Sequence, residues 1–158
     1  VLEASYLIFQ LPAWHSNVRK QVVKRPKLHF TDTGLVCSLL GITTAEQLAV
    51  HPLRGPIFES FVVGEVYKWR LHRGLRPELY HYRESRGIEL DLLAGQADAG
   101  IAVEVKAGQT VQSEFLKNLR AELFDSWTRR LIYAGERQQV RSGVEIVPWH
   151  ALVDTAWG

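Results

Sequence analysis

The chain has 158 residues, of which 46% are hydrophobic and 10% aromatic, a composition that excludes a disordered protein and suffices for one well-packed core. The formal net charge of +2 does not by itself point to any class of partner. The single cysteine, Cys37, excludes a disulfide framework and a cysteine-based zinc site.

The chain carries no targeting or membrane signal. No apolar run approaches the length of a membrane span and no signal peptide opens the sequence, so we expect a cytoplasmic protein without a membrane partner. The sequence begins at Val1 and contains no methionine, which suggests a piece of a longer polypeptide. Basic residues are concentrated in segments 14–30 and 68–86. The side chains of these segments could contact the phosphates of a nucleic acid, or they could equally form a solvated surface.

Short elements are predicted for the first part of the chain. Residues 2–11 are apolar and β-prone, and residues 27–30 are typical of a short strand. Residues 35–40 indicate a helix that ends at a glycine. A further short helix is predicted after Thr43, because Thr43 and Glu46 have the spacing of a capping box.

Residues 51–56 form the strongest break in the chain. We place there the boundary between a connector, residues 1–50, and a main domain, residues 51–158. A helix is predicted over residues 56–72, since its apolar side chains recur at a spacing of three and four. Glu59 borders the apolar stripe of this helix.

The main domain continues with strands. One strand is predicted over residues 79–82, and the alternating segments 88–93 and 101–106 indicate a hairpin about the glycine-flanked stretch 95–100. A second amphipathic helix is predicted over residues 111–124.

Two more strands and a last helix complete the prediction. Residues 131–134 and 144–147 are typical of buried strands, and residues 150–157 of a short helix. A meander followed by a crossover helix and a returning strand predicts an α/β fold, a three-layer α/β/α sandwich with a mixed sheet.

The hairpin is expected to bring charged side chains together. Symmetric folding places Asp91 directly opposite Glu104, with Cβ atoms roughly 5 Å apart. The same register places Glu89 opposite Lys106. The side chains expected to enter the core from the other face are Leu90, Leu92, Val103 and Val105. Two adjacent carboxylates call for a cation, and a divalent metal ion is the obvious candidate. By itself, however, a charged row on a strand is also typical of a solvent-exposed sheet face.

The residue types suit hydrolysis of a phosphodiester. Asp91 and Glu104, together with the backbone carbonyl of Val105, would offer hard oxygen ligands to Mg²⁺ or Mn²⁺. The metal ion would polarise the phosphodiester and lower the pKa of a bound water. Lys106 would orient or help deprotonate this water, or stabilise developing charge. Glu59 would position the metal ion or a neighbouring water.

Residues 85–93 followed by 103–106 resemble the core of the PD-(D/E)XK, or restriction-endonuclease-like, superfamily. The resemblance is strongest to the branch similar to archaeal Holliday-junction resolvases, in which an Arg-Gly-x-x-x-Glu helix start, here residues 54–59, supplies a further acid. It implies an αβββαβ core, a Mg²⁺ cofactor and a homodimer like those of many relatives. The implied catalytic residues are Asp91, Glu104, Lys106 and Glu59. Leu90 stands where the superfamily's name has proline.

A second resemblance covers nearly the whole chain. Residues 26–35 and 58–62 resemble a domain at the C-terminus of bacterial and archaeal P-loop ATPases of the AAA+ type. In those proteins a winged-helix segment links the ATPase to the nuclease-like domain, so residues 1–50 would be the tail of that segment and a connector. The resemblance implies DNA and the ATPase domain of the same full-length chain as partners. No Walker-A sequence is present in this chain.

Two functional hypotheses follow. The first is a Mg²⁺-dependent domain that hydrolyses DNA phosphodiesters. The alternative is a catalytically inactive module of the same fold, which binds nucleic acid or protein and regulates the attached ATPase. Hydrolysis predicts that Asp91, Glu104, Lys106 and Glu59 surround an open cleft, whereas the inactive module predicts that Lys106 holds Glu89 or Asp91 in a closed ion pair under a lid.

Overall fold

The computed structural model describes residues 1–14, 25–84, 87–96 and 99–157. Its strands are β1 (Ile8–Leu11), β2 (Lys27–Phe30), β3 (Leu79–Arg83), β4 (Glu89–Gln96), β5 (Ala99–Lys106), β6 (Thr128–Tyr133), β7 (Gln139–Arg141) and β8 (Val144–Pro148). Its α-helices are α1 (Thr33–Leu39), α2 (Ala45–Val50) and α3 (Arg54–His72). Residues 97 and 98 of the predicted hairpin turn lie outside the described residues.

The main sheet has six strands in the order β3-β4-β5-β6-β8-β7. β5 and β6 pair in parallel, as do β6 and β8, and the other neighbours are antiparallel. The predicted α/β class with a mixed sheet is therefore confirmed. β1 and β2 form a separate antiparallel pair, and the chain after β1 joins the edge of β3 through a hydrogen bond of 2.7 Å from the Trp14 N–H to the His81 carbonyl.

Apolar side chains cover both faces of this sheet. On one face, α3 and β1 pack against the sheet in the α3-side core, whose members include Phe9, Leu11, Val62, Val63, Val66, Leu92, Val103, Val105 and Ile132. The opposite core contains Tyr82, Leu90, Leu93, Ala102, Leu116, Leu119, Phe124, Leu131 and Ile146. Side chains near the middle of the sheet are consequently shielded from water on both faces.

The predicted amphipathic helix over residues 111–124 is wrong. The structure has three 3₁₀ turns instead, at Ser113–Leu116, Asn118–Arg120 and Glu122–Phe124. Between the second and third turns Ala121 adopts an extended conformation, with ψ of 134°, which interrupts any continuous helix. Because 3₁₀ turns repeat every three residues, they can still bury apolar side chains at a spacing of three.

The predicted C-terminal helix over residues 150–157 is also wrong, since only a 3₁₀ turn at Trp149–Ala151 forms. Arginine side chains bind the carbonyls of the last two described residues: Arg70 donates to the Trp157 carbonyl and Arg130 to the Ala156 carbonyl. The indole of Trp157 is fully buried. These tertiary contacts hold the terminus in an irregular path.

The capping residue of α2 is one position later than predicted. Thr44, rather than Thr43, accepts the hydrogen bond from the Gln47 N–H, and the Gln47 side chain completes the capping box. Gln47 therefore takes the place that the sequence analysis assigned to Glu46.

A β-bulge in β4 changes the predicted facing of its side chains. Tyr80 pairs with Leu93 and Tyr82 with Leu90, so β4 takes three steps where β3 takes two. The alternation of side chains breaks there, with Leu90 in the opposite core and Leu92 in the α3-side core. The expectation that both point to the same face is wrong. Bulges bend a strand and redirect a side chain, and Asp91 lies within this one.

Among the helices of the described residues, none has the length and the apolar character that a membrane crossing requires.

The buried leucines of the 3₁₀ turns should contribute to the stability of the fold. We expect Leu119→Ala to lower the free energy of unfolding by about 2–5 kcal/mol, because the side chain is fully buried in the opposite core. Leu39→Ala is the matched control: this side chain is 71% exposed, and its loss should change stability by less than about 0.5 kcal/mol. Urea unfolding of both variants measures the difference, and equal effects would contradict the assigned core.

Candidate functional site

Asp91 is held in the gap where β4 separates from β5. The two strands pair in the predicted register from Gln96–Ala99 up to Leu92–Val103. One residue further, the Asp91 carboxylate accepts a hydrogen bond of 2.8 Å from the Val105 N–H. Asp91 is only 8% exposed. A side-chain oxygen thus satisfies a buried backbone donor and places the carboxylate beside the Glu104–Lys106 segment.

Glu104 is the more deeply buried carboxylate, at 5% exposure. Its Oε1 accepts a hydrogen bond of 2.5 Å from the Lys106 Nζ, whereas its Oε2 is buried with no hydrogen-bond partner among the described residues. Burial and the negative charge of Asp91 raise the pKa of Glu104 to about 7, although Lys106 opposes the shift. The two carboxylates that the sequence analysis paired are therefore close enough to repel each other.

Lys106 contacts Glu104, not the predicted Glu89. Burial alone would lower the pKa of Lys106, but the hydrogen bond and charge of Glu104 outweigh burial and raise it. The charges of Asp91 and Glu59 act in the same direction. Lys106 is therefore a protonated donor at neutral pH, and its side chain, 35% exposed, reaches the solvent.

A lysine that the sequence analysis did not assign to the site lies among the acidic residues. The Nζ of Lys27, in β2, is 2.9 Å from Glu59 Oε1, 3.2 Å from Glu89 Oε1 and 3.5 Å from Asp91 Oδ1. Burial alone would lower the pKa of Lys27, but the three carboxylates together raise it well above its usual range. Lys27 belongs to the basic segment 14–30 and to the 26–35 segment that carried a family resemblance, but neither pattern assigned it to the site.

Glu59 reaches the site from α3, as the sequence analysis expected, but its contact there is Lys27. Burial and the charge of Asp91 raise the pKa of Glu59, while Lys27 opposes the shift. Its predicted part in positioning a metal ion stays a prediction.

Two buried histidines hold β2 in place beside the site. The Nδ1 of His29 pairs with the Ser60 hydroxyl at 3.1 Å, and the Nε2 of His81 pairs with the Arg25 carbonyl at 3.0 Å. Burial, aided by the charge of Lys27, lowers the pKa of His29 to about 4, so the ring is neutral. These contacts connect the strand that carries Lys27 to α3 and to β3.

The fit of a divalent cation depends on Asp91 and Glu104. Among the described residues, no three side chains of His, Cys, Asp or Glu converge closely enough to hold a metal ion. The predicted set has two such side chains, and Mg²⁺ commonly binds one or two carboxylates and keeps several waters. The unpartnered Oε2 of Glu104 is a buried acceptor that a cation would satisfy. The residues therefore fit such an ion, while the Val105 carbonyl as a ligand stays a prediction.

Glu104→Gln should stabilise the metal-free protein at high pH. The pKa of Glu104 is raised from 4.5 to about 7, so the folded chain binds this proton more tightly than the unfolded chain does. The resulting loss of stability is absent below pH 4.5, develops as the pH rises and is complete above about 7. We expect Glu104→Gln to exceed wild type by about 1–3 kcal/mol at pH 8 and by little at pH 4.

Urea unfolding with a chelator at the two pH values measures this difference. Glu114→Gln, at an exposed position of the first 3₁₀ turn, is the matched control and should follow wild type at both. A Glu104→Gln difference that is the same at pH 4 and pH 8 would contradict the assigned pKa.

Comparison with known proteins places most of this chain in a described family. A family model, Domain of unknown function (DUF4143), matches residues 54–152, and a second, Domain of unknown function (DUF8612), matches residues 1–46. The chain is similar to Uncharacterized protein Mb2031c of Mycobacterium bovis and Uncharacterized protein Rv2008c of Mycobacterium tuberculosis. Each is 32% identical over 78 residues, which are 44% of this chain and 18% of the relative. The match therefore spans less than a fifth of the length of these relatives. No solved structure matches.

The residues matched by the DUF4143 family model include α3 and every strand of the six-stranded sheet, and with them Glu59, Asp91, Glu104 and Lys106. DUF4143 is a domain found in AAA-ATPase-associated proteins. Because its model covers more than half of the residues, the chain belongs to the DUF4143 family.

Proposed function

We propose that this chain is a divalent-cation-dependent nuclease domain that hydrolyses DNA phosphodiesters, with Mg²⁺ or Mn²⁺ held by Asp91 and Glu104. The supporting observation is a pair of buried carboxylates, one of which has an acceptor oxygen without a partner. Buried carboxylates that repel each other are stabilised by a cation.

The balance of charge supports a bound cation. The four carboxylates of the site belong to Glu59, Glu89, Asp91 and Glu104. Two ammonium groups, those of Lys27 and Lys106, lie among them. A third cationic group, the Arg83 guanidinium, lies 3.6 Å from Glu89 at the exposed rim, so one negative charge remains in excess, which a bound cation would neutralise.

The residues of the chain have distinct parts in the proposed reaction. When bound, the cation supplies Lewis-acid polarisation of the phosphodiester. Lys106 carries a proton at neutral pH because its pKa is raised, so it acts as a hydrogen-bond donor and positive charge toward the phosphate oxygens, not as the base. Asp91 holds its position through the Val105 N–H, which leaves Oδ1 as the atom available to a ligand once it is free of Lys27.

DNA and an attached ATPase domain are the proposed partners. The main domain carries basic side chains directly after α3 and on β3, including Arg73 and Arg83, which could contact phosphates. Arg86, in the same basic segment, lies outside the described residues. Association with an ATPase is supported by the proteins in which the DUF4143 domain occurs.

Cleavage assays on the intact protein test this proposal. With Mg²⁺ or Mn²⁺ and branched, single-stranded and double-stranded DNA, we expect cleavage that falls about 100-fold or more in Asp91→Asn, Glu104→Gln and Lys106→Met. Glu114→Gln should cleave like wild type, since the residue is exposed and not among the carboxylates of the site. If wild type and Asp91→Asn are equally inert on every substrate, the proposed activity is refuted.

The ion pairs of Lys27 favour a second candidate function. An ammonium that contacts three carboxylates already supplies part of the charge that a metal ion would bring. A module of this kind would bind nucleic acid or protein without metal and would regulate the attached ATPase. Salt-dependent binding that is unchanged by a chelator and by Glu104→Ala, without any cleavage, would favour this function over hydrolysis.

A further inference from the structure

The cation within the acidic cluster comes from a different part of the chain than the acids do. Lys27 belongs to β2, in the part that the DUF8612 model matches, whereas Glu59, Glu89 and Asp91 belong to α3 and β4, in the part that the DUF4143 model matches. The shortest of its contacts, to Glu59, joins residues 32 positions apart. Whether the Lys27 ammonium lies among these carboxylates therefore depends on how the β1–β2 pair packs against the main domain.

Lys27 also contacts Asp91, which is one of the two proposed metal ligands. Asp91 accepts from the Val105 N–H through Oδ2 and lies 3.5 Å from the Lys27 Nζ through Oδ1. An ammonium and a divalent ion close to one carboxylate repel each other, and burial makes this repulsion stronger than it would be in water. The two cations therefore oppose each other at Asp91.

We propose that Lys27 is a tethered competitor of the divalent cation, and that the β1–β2 pair thereby regulates the site. This inference rests on the proposed function. With Lys27 among the acids, cation affinity is low. Withdrawal of its side chain, or movement of β2 away from α3, releases Asp91 and raises that affinity. A change in the N-terminal part of the protein would in this way alter the availability of the hydrolytic site.

The structure supports such a role in two ways. The Lys27 side chain is long and 23% of its area is exposed, so it can withdraw without unfolding the domain. His29, two residues further along β2, pairs with Ser60, the neighbour of Glu59 on α3. A movement of β2 that breaks this contact would therefore also take Lys27 away from Glu59.

Calorimetric titration of the intact protein with Mn²⁺ tests the competition. We expect Lys27→Met to bind Mn²⁺ at least about tenfold more tightly than wild type, because one positive charge is removed beside Asp91. Lys27→Arg, which keeps the charge, should bind like wild type. Lys68→Met is the matched control, since Lys68 pairs with Glu65 on the same helix, and it should also bind like wild type.

A second measurement avoids the substitution, which could unfold the chain by leaving Glu59 without its partner. Acetylation of lysine amines in wild type is followed by mass spectrometry, with and without Mn²⁺. Bound Mn²⁺ should expel the Lys27 amine and increase its labelling severalfold relative to Lys68. In Asp91→Asn, which lacks the shared carboxylate, this increase should disappear.

The outcomes separate this inference from the proposed function. If wild type binds Mn²⁺ through Asp91 but Lys27→Met binds no more tightly, or Lys27 labelling does not rise, the competition is refuted and the metal site stands. If neither wild type nor Lys27→Met binds Mn²⁺, the metal site itself is refuted, and the competition with it. Binding by Lys27→Met alone, or tighter binding by it, supports the inference.

Discussion

The site depends on one hydrogen bond, from the Val105 N–H to the Asp91 carboxylate. The bulge in β4 ends the backbone ladder at Leu92 and Val103, so the next buried donor of β5 would have no partner without this side chain. A buried unsatisfied amide costs about 1–3 kcal/mol. The same bond places a negative charge beside Glu104, which raises the pKa of Glu104, and beside Lys27. The electrostatics of the cluster follow from this placement.

Buried carboxylates that stabilise a fold and carboxylates that bind a cation need different surroundings. A fold is most stable when each acid has a permanent partner, whereas a metal site must leave acceptor oxygens free. This chain divides the two roles. Lys27 engages Glu59 and Glu89 most closely, and Glu104 keeps one oxygen without a partner. Asp91 lies between these two groups and contacts both a backbone amide and the Lys27 ammonium.

Periodicity in the sequence was informative where it matched one element type only. The three-and-four spacing of residues 56–72 predicted α3, and strict alternation predicted β4 and β5. The spacing over residues 111–124 suited both an α-helix and a succession of 3₁₀ turns, and tertiary burial of Leu116 and Leu119 selected the turns. The short strand β7 carries exposed side chains and no apolar pattern, so the sequence contained little to reveal it.

The register of the hairpin, and hence the proximity of Asp91, Glu104 and Lys106, could be predicted from the sequence, because these contacts are local and follow from alternation about a short turn. Two further features of the site depend on contacts between distant segments. The bulge places Leu90 and Leu92 on opposite faces of the sheet, and its position depends on the pairing of β4 with β3. Lys27 enters the cluster because β2 packs beside α3, a contact between distant segments that no local pattern encodes. Local geometry thus placed the acids, and long-range packing supplied the cation among them.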